Sequence, residues 1–369
     1  MTRSRIRHMR IALVHDDLVQ WGGAERVFLE ISNIFPEAPI YTSVFDQSNS
    51  ILVEKFSGKE IKTSFLQKVP FWRDLYKALL PFYPLAFEQF DFTEFDLVIS
   101  HGTRFAKAVI TKPGTLHINY CHTPPRFLWG FSGEKVFPIL NPYFSFLRKC
   151  DLVFAKRVDY FWAGSKNAHD RIKKVYGEDC EVLYPFVDLE RFKDLDSFDG
   201  DYYLVIARLN SYKRVDLAVK ACQDMGRKLK VVGDGMEMGK LETKRQRDKE
   251  NEIEFLGSMS EEAVLSLLAG CRGLIVTAEE DFGLTSLEAQ ACGKGVIAFG
   301  KGGSLETVID GETGVFFEEQ SVDSLKKGLE KFEKLKIDPD ECKETAAKFS
   351  KEKFKKRLLN LIDGVKIGN

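Results

Sequence analysis

The chain has no cysteine pairing to build on. Its seven cysteines (Cys121, Cys150, Cys180, Cys222, Cys271, Cys292 and Cys342) are odd in number, and none forms a C-x-x-C pair. That argues against a disulfide framework or zinc site and for reduced thiols packed in cores. An excess of charge is also missing. With 54 Lys and Arg against 55 Asp and Glu, the net charge is -1, which gives no footprint for nucleic acid. No apolar run reaches the ~18–20 residues of a membrane-spanning helix. The nearest, Val136–Leu147, is interrupted by Pro138, Asn141 and Pro142. The basic start MTRSRIRHMR leads only into Ile11–Val14 before Asp16-Asp17, too short for the apolar core of a secretory signal. The expectation is a cytoplasmic protein, at most peripheral at the inner face of the cell membrane. A G-x-G-x-x-G fingerprint is absent as well, which counts against an NAD- or FAD-linked oxidoreductase.

What is present is length and alternation. A chain of 369 residues suits two domains. Strand-like runs at Arg10–His15, Ile40–Phe45, Asp96–Ser100, Leu116–Cys121 and Tyr160–Gly164 alternate with helix-like patterns, the first over Ala24–Phe35. A second series reads as strands at Tyr202–Ala207, Leu229–Gly233, Ile253–Leu256, Gly273–Thr277 and Gly295–Phe299. Segments 212–225, 236–249, 260–269, 285–292 and 321–334 are the intervening helices. Such alternation predicts parallel sheets covered on both faces, in two Rossmann-like α/β domains. An acidic linker within Pro185–Asp201 separates them. Residues 339–364 read as one terminal amphipathic helix.

Four features stand at predicted strand ends, where open α/β sheets bind ligands. Glu280-Asp281-Phe282-Gly283-Leu284-Thr285-Ser286-Leu287-Glu288 follows the strand GLIVTA. Gly283 permits close backbone approach, and the following helix offers free N–H groups to phosphate. Thr285-x-x-Glu288 also fits a capping box, a purely structural role. Arg208, Lys213 and Arg214 follow the strand YYLVIA, as a diphosphate clamp or a solvated basic turn. Gly233-Asp234-Gly235 follows KLKVV, either admitting a base or ribose or forming an ordinary turn. Gly22-Gly23 sits between the first strand and first helix and can aim N–H groups at phosphate.

In this order, Gly22-Gly23, Arg208…Lys213, Gly233-Asp234-Gly235 and the pair Glu280/Glu288 resemble glycosyltransferase family 4. The stretches AQACGKGVIAFGKGGSLETV and GETGVFF are similar to that family too. The resemblance implies a GT-B fold, two Rossmann-like domains facing across a cleft with the C-terminal helix crossing back to the first. The expected division is an acceptor-side domain 1–185, a nucleotide-sugar domain 186–345 and a helix 346–369. It implies a retaining hexosyltransferase, with Arg208 and Lys213 on the diphosphate, completed by the Gly22 and Gly23 amides. Glu288 would hold the ribose hydroxyls, and Glu280 with the backbone of Phe282, Gly283 and Leu284 the transferred sugar. His122, in CHTPPRFLW, resembles the cleft histidine that contacts the sugar. That context and DFTEFDLVISHGTRFAKAV resemble mannosyltransferases of surface-polysaccharide synthesis, which implies GDP-mannose as donor and a saccharide or lipid-linked acceptor. Two departures stand out: Asp281 replaces the usual Gly, and Thr285 a frequent Pro.

Asp194-Leu195-Asp196 and Asp199-Gly200-Asp201 match a metal-binding D-x-D. Their place in an acidic linker reads as solvated charge, so neither metal nor cofactor is expected. Segment Lys62–Phe92 interleaves Lys62, Lys68, Arg73 and Lys77 with Phe65, Phe71, Trp72, Tyr76, Phe82, Tyr83 and Phe87. It suits docking on an anionic membrane, or aromatics packed inside while the cations face water. Alternatives to the GDP-mannose enzyme are a UDP-sugar-dependent transferase, a GT-B epimerase or phosphorylase, and a non-catalytic nucleotide-sugar-binding subunit.

Overall fold

A computed structural model describes residues 9–75, 78–131, 141–193, 195, 198, 200–243 and 253–365, with the backbone alone at 244 and 245. It divides into two compact units, unit 1 of Met1–Tyr184 with Lys355–Asn369 and unit 2 of Pro185–Phe354.

Unit 1 is built on strands β1 (Ile11–His15), β2 (Ile40–Thr42), β3 (Ile61–Thr63), β4 (Leu97–Gly102), β5 (Leu116–Cys121), β6 (Tyr160–Ala163) and β7 (Glu181–Val182). They form one parallel sheet in the order β3-β2-β1-β4-β5-β6-β7. β1, β4 and β5 are buried along their whole length, as expected of central strands covered on both faces. The helix Gly23–Ile34 turns Val27, Phe28 and Ile31 inward at helical spacing. Short edge strands β3 and β7 escape the sequence pattern because three and two residues are too few to show a period.

Unit 2 holds β8 (Tyr202–Ile206), β9 (Lys228–Val232), β10 (Ile253–Gly257), β11 (Gly273–Val276), β12 (Val296–Phe299) and β13 (Gly314–Phe317). Their order is β10-β9-β8-β11-β12-β13, again parallel. The core is made by Val205, Val231, Ile275, Ile297 and Val315 from the sheet, with Leu217, Leu325, Leu329 and Phe332 from covering helices.

Two expected helices differ. The tail is two helices, Pro339–Ala347 and Lys351–Gly364. Between them the Phe349 carbonyl accepts from the Val187 N–H at 2.9 Å and Ser350 bridges Val187, so strand-like pairing outcompetes helix continuation. The helix expected from 212 starts at Val215, preceded by a 3-10 turn Ser211–Lys213. Arg214 separates the two in the left-handed region at φ 50. The final helix runs across the boundary at Lys355, and its Arg357 bonds Glu181 of unit 1 at 2.5 Å. All seven cysteines are free. Among the described residues no helix is long and apolar enough to cross a membrane.

Candidate functional site

Each sheet has one place where the chain's direction of travel reverses. In unit 2 the strands run outward from β8 through β9 to β10, then restart at β11. The carboxyl ends of β8 and β11 therefore flank a crevice of the kind that open α/β sheets use for ligands. From β8 come Arg208 and Lys213; from β11 comes Glu280. Lys213 donates to both Glu280 oxygens, at 2.6 and 2.8 Å, with the side chains 16% and 20% exposed. The left-handed turn at Arg214 ends the 3-10 turn directly after Lys213. The Lys213 carbonyl accepts from Thr277 Oγ1 at 2.6 Å, and the Thr277 carbonyl from Gln320 Nε2 at 2.9 Å. Thr277 and Gln320 thus hold Lys213 from behind. Arg208 is exposed on the same loop.

The Gly233-Asp234-Gly235 loop is locked onto that segment. Leu209 N–H donates to the Asp234 carbonyl at 2.9 Å, and Glu237 N–H to the Leu209 carbonyl at 2.8 Å. Gly233 has φ 125, and a Cβ there would collide with the Ala207 carbonyl. The close approach that these glycines permit within the fold is to the neighbouring loop at Ala207–Leu209. Asp234 bonds its own following N–H, at Gly235, at 2.6 Å. A cavity of about 300 Å³ lies beside this junction, lined by residues including Arg214, Asp216 and Glu237. Lys213, Glu280 and Glu288 are not among its lining residues.

The capping-box alternative is overturned. The helix is Leu284–Ala291 and its N-cap is Gly283 at φ 99, with no side-chain cap bond. Thr285 therefore lies inside the first turn and cannot cap it. Glu280 pairs with Gly302 and accepts from the Gly303 N–H through its carbonyl at 2.8 Å. A Cβ on Gly303 would collide with the Phe282 backbone. Gly302-Gly303 thus pins Glu280–Phe282, a role that only the family-like GKGGS stretch hinted at. Asp281 is half-buried, and Phe282 is buried edge-on to Phe349, ring centroids 5.4 Å apart. Glu288, 15% exposed, lies 3.5 Å from Arg191, which also lies 3.5 Å from Glu261. Arg191 was missed from sequence because it stands in the linker, 97 positions before Glu288.

In unit 1 the reversal falls between β1 and β4; Gly22-Gly23 come after β1, and His122 after β5, one strand further on. Gly22 is the N-cap of Gly23–Ile34, without a side-chain cap bond, so the first N–H groups have no intrahelical partner. His122 follows β5 and lies 2.8 Å, Nε2 to Nε2, from His101; His101 Nδ1 lies 3.0 Å from His15 Nδ1. Asp16 is buried after β1. Its carboxylate accepts from the N–H groups of Thr103, Arg104, Phe105 and Ala106 at 2.6–2.8 Å. Burial pushes its pKa up, but Arg104, His15 and these N–H groups outweigh that and hold it below the ordinary carboxylate range. Burial wins at Asp17, raised although Arg104 pairs with it. Gly102 completes the cradle, since a Cβ there would collide with Asp16.

The aromatic segment splits between its two readings. Trp72, Tyr83 and Phe87 are buried, whereas Phe71 is 79% exposed, with Phe65, Leu75, Phe82 and Leu85 also exposed. Arg73 pairs with Asp46 at 2.6 Å. Tyr76 and Lys77 lie outside the described residues, as do Asp194, Asp196 and Asp199 of the D-x-D matches.

Two parallel Rossmann-type units, one bearing the Lys213–Glu280 pair and a helix start without a side-chain cap at its reversal point, define the class: a transferase of the GT-B fold. Known proteins agree. The model of glycosyltransferase family 4 matches residues 21–191, and that of glycosyl transferases group 1 matches residues 188–349. The chain belongs to glycosyltransferase family 4 and is a hexosyltransferase. An uncharacterized glycosyltransferase of Methanocaldococcus jannaschii is 35% identical over 161 residues, 43% of this chain but only 45% of that protein. The alpha-1,3/1,6-mannosyltransferase of Saccharomyces cerevisiae is 27% identical over 81% of this chain and 71% of its own length. Among solved structures, an Anabaena protein in complex with UDP and glucose matches at TM-score 0.72, 18% identical, over 97% of this chain and 100% of that one. Sucrose-phosphate synthase from Thermosynechococcus elongatus matches at TM-score 0.73, 16% identical, over 96% and 98%.

Proposed function

We propose that the protein transfers mannose from GDP-mannose, with retention, to a saccharide or lipid-linked saccharide. The observation that carries the choice of sugar is the likeness to the yeast alpha-1,3/1,6-mannosyltransferase over most of both chains. Breaking the anomeric bond puts negative charge on the departing diphosphate and positive charge on the sugar. Arg208 and Lys213 stabilise the first, helped by the Gly22 and Gly23 amides. Lys213 leaves Glu280 for the diphosphate, which frees Glu280 to take sugar hydroxyls beside Asp281 and the Phe282, Gly283 and Leu284 backbone. Glu288 takes the ribose hydroxyls, with Arg191 to orient it. Gly233, Asp234 and Gly235 shape the nucleoside side, Thr285 adds a polar group to the helix start, and His122 contacts the sugar. The leaving diphosphate helps to deprotonate the acceptor hydroxyl on the same face. No step calls for metal, so turnover should survive EDTA; an absolute need for manganese or magnesium would refute this.

A thermal-shift panel tests the donor. GDP-mannose at a hundred times its Kd should stabilise the protein by about 2.7 kcal/mol, with UDP-glucose and UDP-N-acetylglucosamine well behind. The reverse ranking would favour the second reading, a UDP-sugar donor, which the fold shared with the Anabaena UDP and glucose complex keeps in view.

The acceptor reading includes contact with a membrane surface. It is supported by Phe71, 79% exposed yet held at φ 56, a conformation costing an aromatic residue about 1–2 kcal/mol. Vesicles containing anionic lipid should sediment the wild-type chain but not Phe71→Ser/Phe82→Ser. Equal recovery of wild type in the supernatant, with or without vesicles, would remove the idea.

A further inference from the structure

We propose that the helix Asn141–Ala155 lies flat against an anionic lipid surface, with Phe146, Lys149, Leu152, Val153 and the following Lys156 toward the bilayer. This rests on the membrane reading drawn from Phe71 and Phe82, and it gives that contact a second limb on a separate helix.

The helix has part of its polarity reversed. Its buried face carries Leu147, Asp151, Phe154 and Ala155. Asp151, fully buried, is matched there by Lys107 at 2.6 Å, by the Trp129 Nε1–H at 2.8 Å and by the Tyr176 hydroxyl at 2.9 Å. The face turned to water carries Phe146, 60% exposed, and Val153, 53% exposed, with Leu152 beside them. A helix that only covers a sheet keeps its aromatic residues in and its carboxylates out. Phe146, Lys149, Val153 and Lys156 follow one another at three, four and three positions, which makes a single stripe along a helix. Both lysines are exposed, Lys156 one position past the helix end. Apolar side chains set between cations with long apolar stems suit a helix in the plane of an interface. The stems then lie at the acyl-chain boundary and the ammonium groups among phosphates.

The stripe adjoins the exposed apolar ground of the aromatic segment. The helices Tyr83–Glu88 and Asn141–Ala155 both pack on the 3-10 turn Ala106–Ala108. Their inner rings meet Phe105, Tyr83 at 6.4 Å and Phe154 at 6.5 Å between centroids. Glu88, at the end of the first helix, pairs with Arg157, just past the second, at 2.6 Å. The two helices are therefore neighbours, and Phe82 and Leu85 stand exposed at the one as Phe146 and Val153 do on the other. Among the described residues most exposed large apolar side chains belong to unit 1, with Phe198, Met236, Met259 and Leu305 the exceptions. Single exposed apolar residues need no explanation, but a run of them across two adjacent helices does. A second copy of the chain is the poorer occupant. About a two-fold axis the stripe meets itself and Lys149 and Lys156 face like charges, whereas lipid phosphates neutralise them. Contacts spread over two helices also fix how the unit sits on the bilayer, which one anchoring point cannot.

Phe146→Trp in the full chain reads the contact directly, against the background of the four native tryptophans. On vesicles of phosphatidylglycerol and phosphatidylcholine its added emission should shift to the blue and be quenched by brominated acyl chains. Phe146→Ser/Val153→Ser should lower the partition coefficient roughly tenfold or more. Lys149→Gln/Lys156→Gln should lower it roughly tenfold on the anionic vesicles and leave it unchanged on phosphatidylcholine alone. The urea midpoint of each variant should stay that of wild type, because the altered side chains face water. Wild-type sedimentation by Phe146→Ser/Val153→Ser, or an unmoved Phe146→Trp spectrum on vesicles that hold the protein, overturns the role of this helix and leaves the Phe71 contact standing. Wild type remaining in the supernatant removes the membrane reading and this inference with it. Concentration-dependent pairing of wild type in ultracentrifugation, abolished by Phe146→Ser/Val153→Ser, gives the stripe to a second copy and overturns the lipid.

Discussion

The two units use the same sheet plan but keep their charges in different places. Among the described residues, unit 1 buries His15, Asp16, Asp17, Glu25, His101, Lys107, His117, Asp151 and Arg171. Unit 2 buries Lys294 and otherwise mainly hydroxyls and amides such as Thr277, Ser286, Gln290 and Thr307. Four of its charges keep some contact with water: Lys213 and Glu280 past strand ends, Glu288 in the helix Leu284–Ala291 and Arg191 in a 3-10 turn are 15–22% exposed. A buried charge must be matched on the spot, because desolvation makes an unmatched one intolerable. Asp16 with four N–H donors and Lys107 with Asp151 at 2.6 Å are matched in this way. A partly exposed pair can instead trade its partner for a ligand. The charges of unit 1 are thus matched within the fold, whereas the partly exposed pairs of unit 2 are those proposed to exchange for a ligand.

The contrast can be broken at either end. The largest effect is expected from Asp16→Ala, which strands several buried N–H groups and should remove about 4 kcal/mol of stability, read by urea unfolding. A loss below 1 kcal/mol would mean the cradle is not a lock. Next come Arg208→Ala and Lys213→Ala, which should each lower kcat by roughly 10²–10³ with little change in stability. Near-wild-type turnover would end their assigned role. Third is acid. Every histidine lies before residue 185, so unit 1 should weaken first. Burial lowers His117 from 6.5 to about 4, against a bond from its ring to the Arg157 carbonyl. A depressed folded pKa means the native state binds fewer protons than the unfolded chain. The contribution is therefore complete above pH 6.5 and is lost as pH falls from there to about 4. Across that window the protection of amides against exchange, relative to the unfolded chain at the same pH, should fall in β4 and β5 before β8 and β11; a uniform fall would erase the distinction. Smallest is Arg191→Ala, which should change stability by under ~1 kcal/mol while weakening donor binding a few-fold through Glu288.

The parts legible in the sequence were those that repeat locally. Period and strand-end position revealed the two α/β series, and EDFGLTSLE carried its own family likeness. The His15–His101–His122 row was not legible, because residues 86 and 21 positions apart meet only through the registers of β1, β4 and β5. Asp16 was read merely as the end of an apolar run; its partners lie about 87 residues away. The break at Lys348–Ser350 was hidden because amphipathic spacing continues across it, and only pairing with Val187 interrupts the helix. Thr285-x-x-Glu288 offered a structural alternative that the fold does not take: its spacing fits a capping box, but Gly283 takes the cap position.

Exchange at Lys213 is the point on which the account turns. Titrating GDP-mannose calorimetrically into wild type and Lys213→Ala tests it most directly. Wild type should bind, and the variant should bind at least tenfold more weakly, about 1.4 kcal/mol, with its unliganded melting temperature unchanged. Equal affinity in the two proteins, or no binding by a folded wild type, would contradict it.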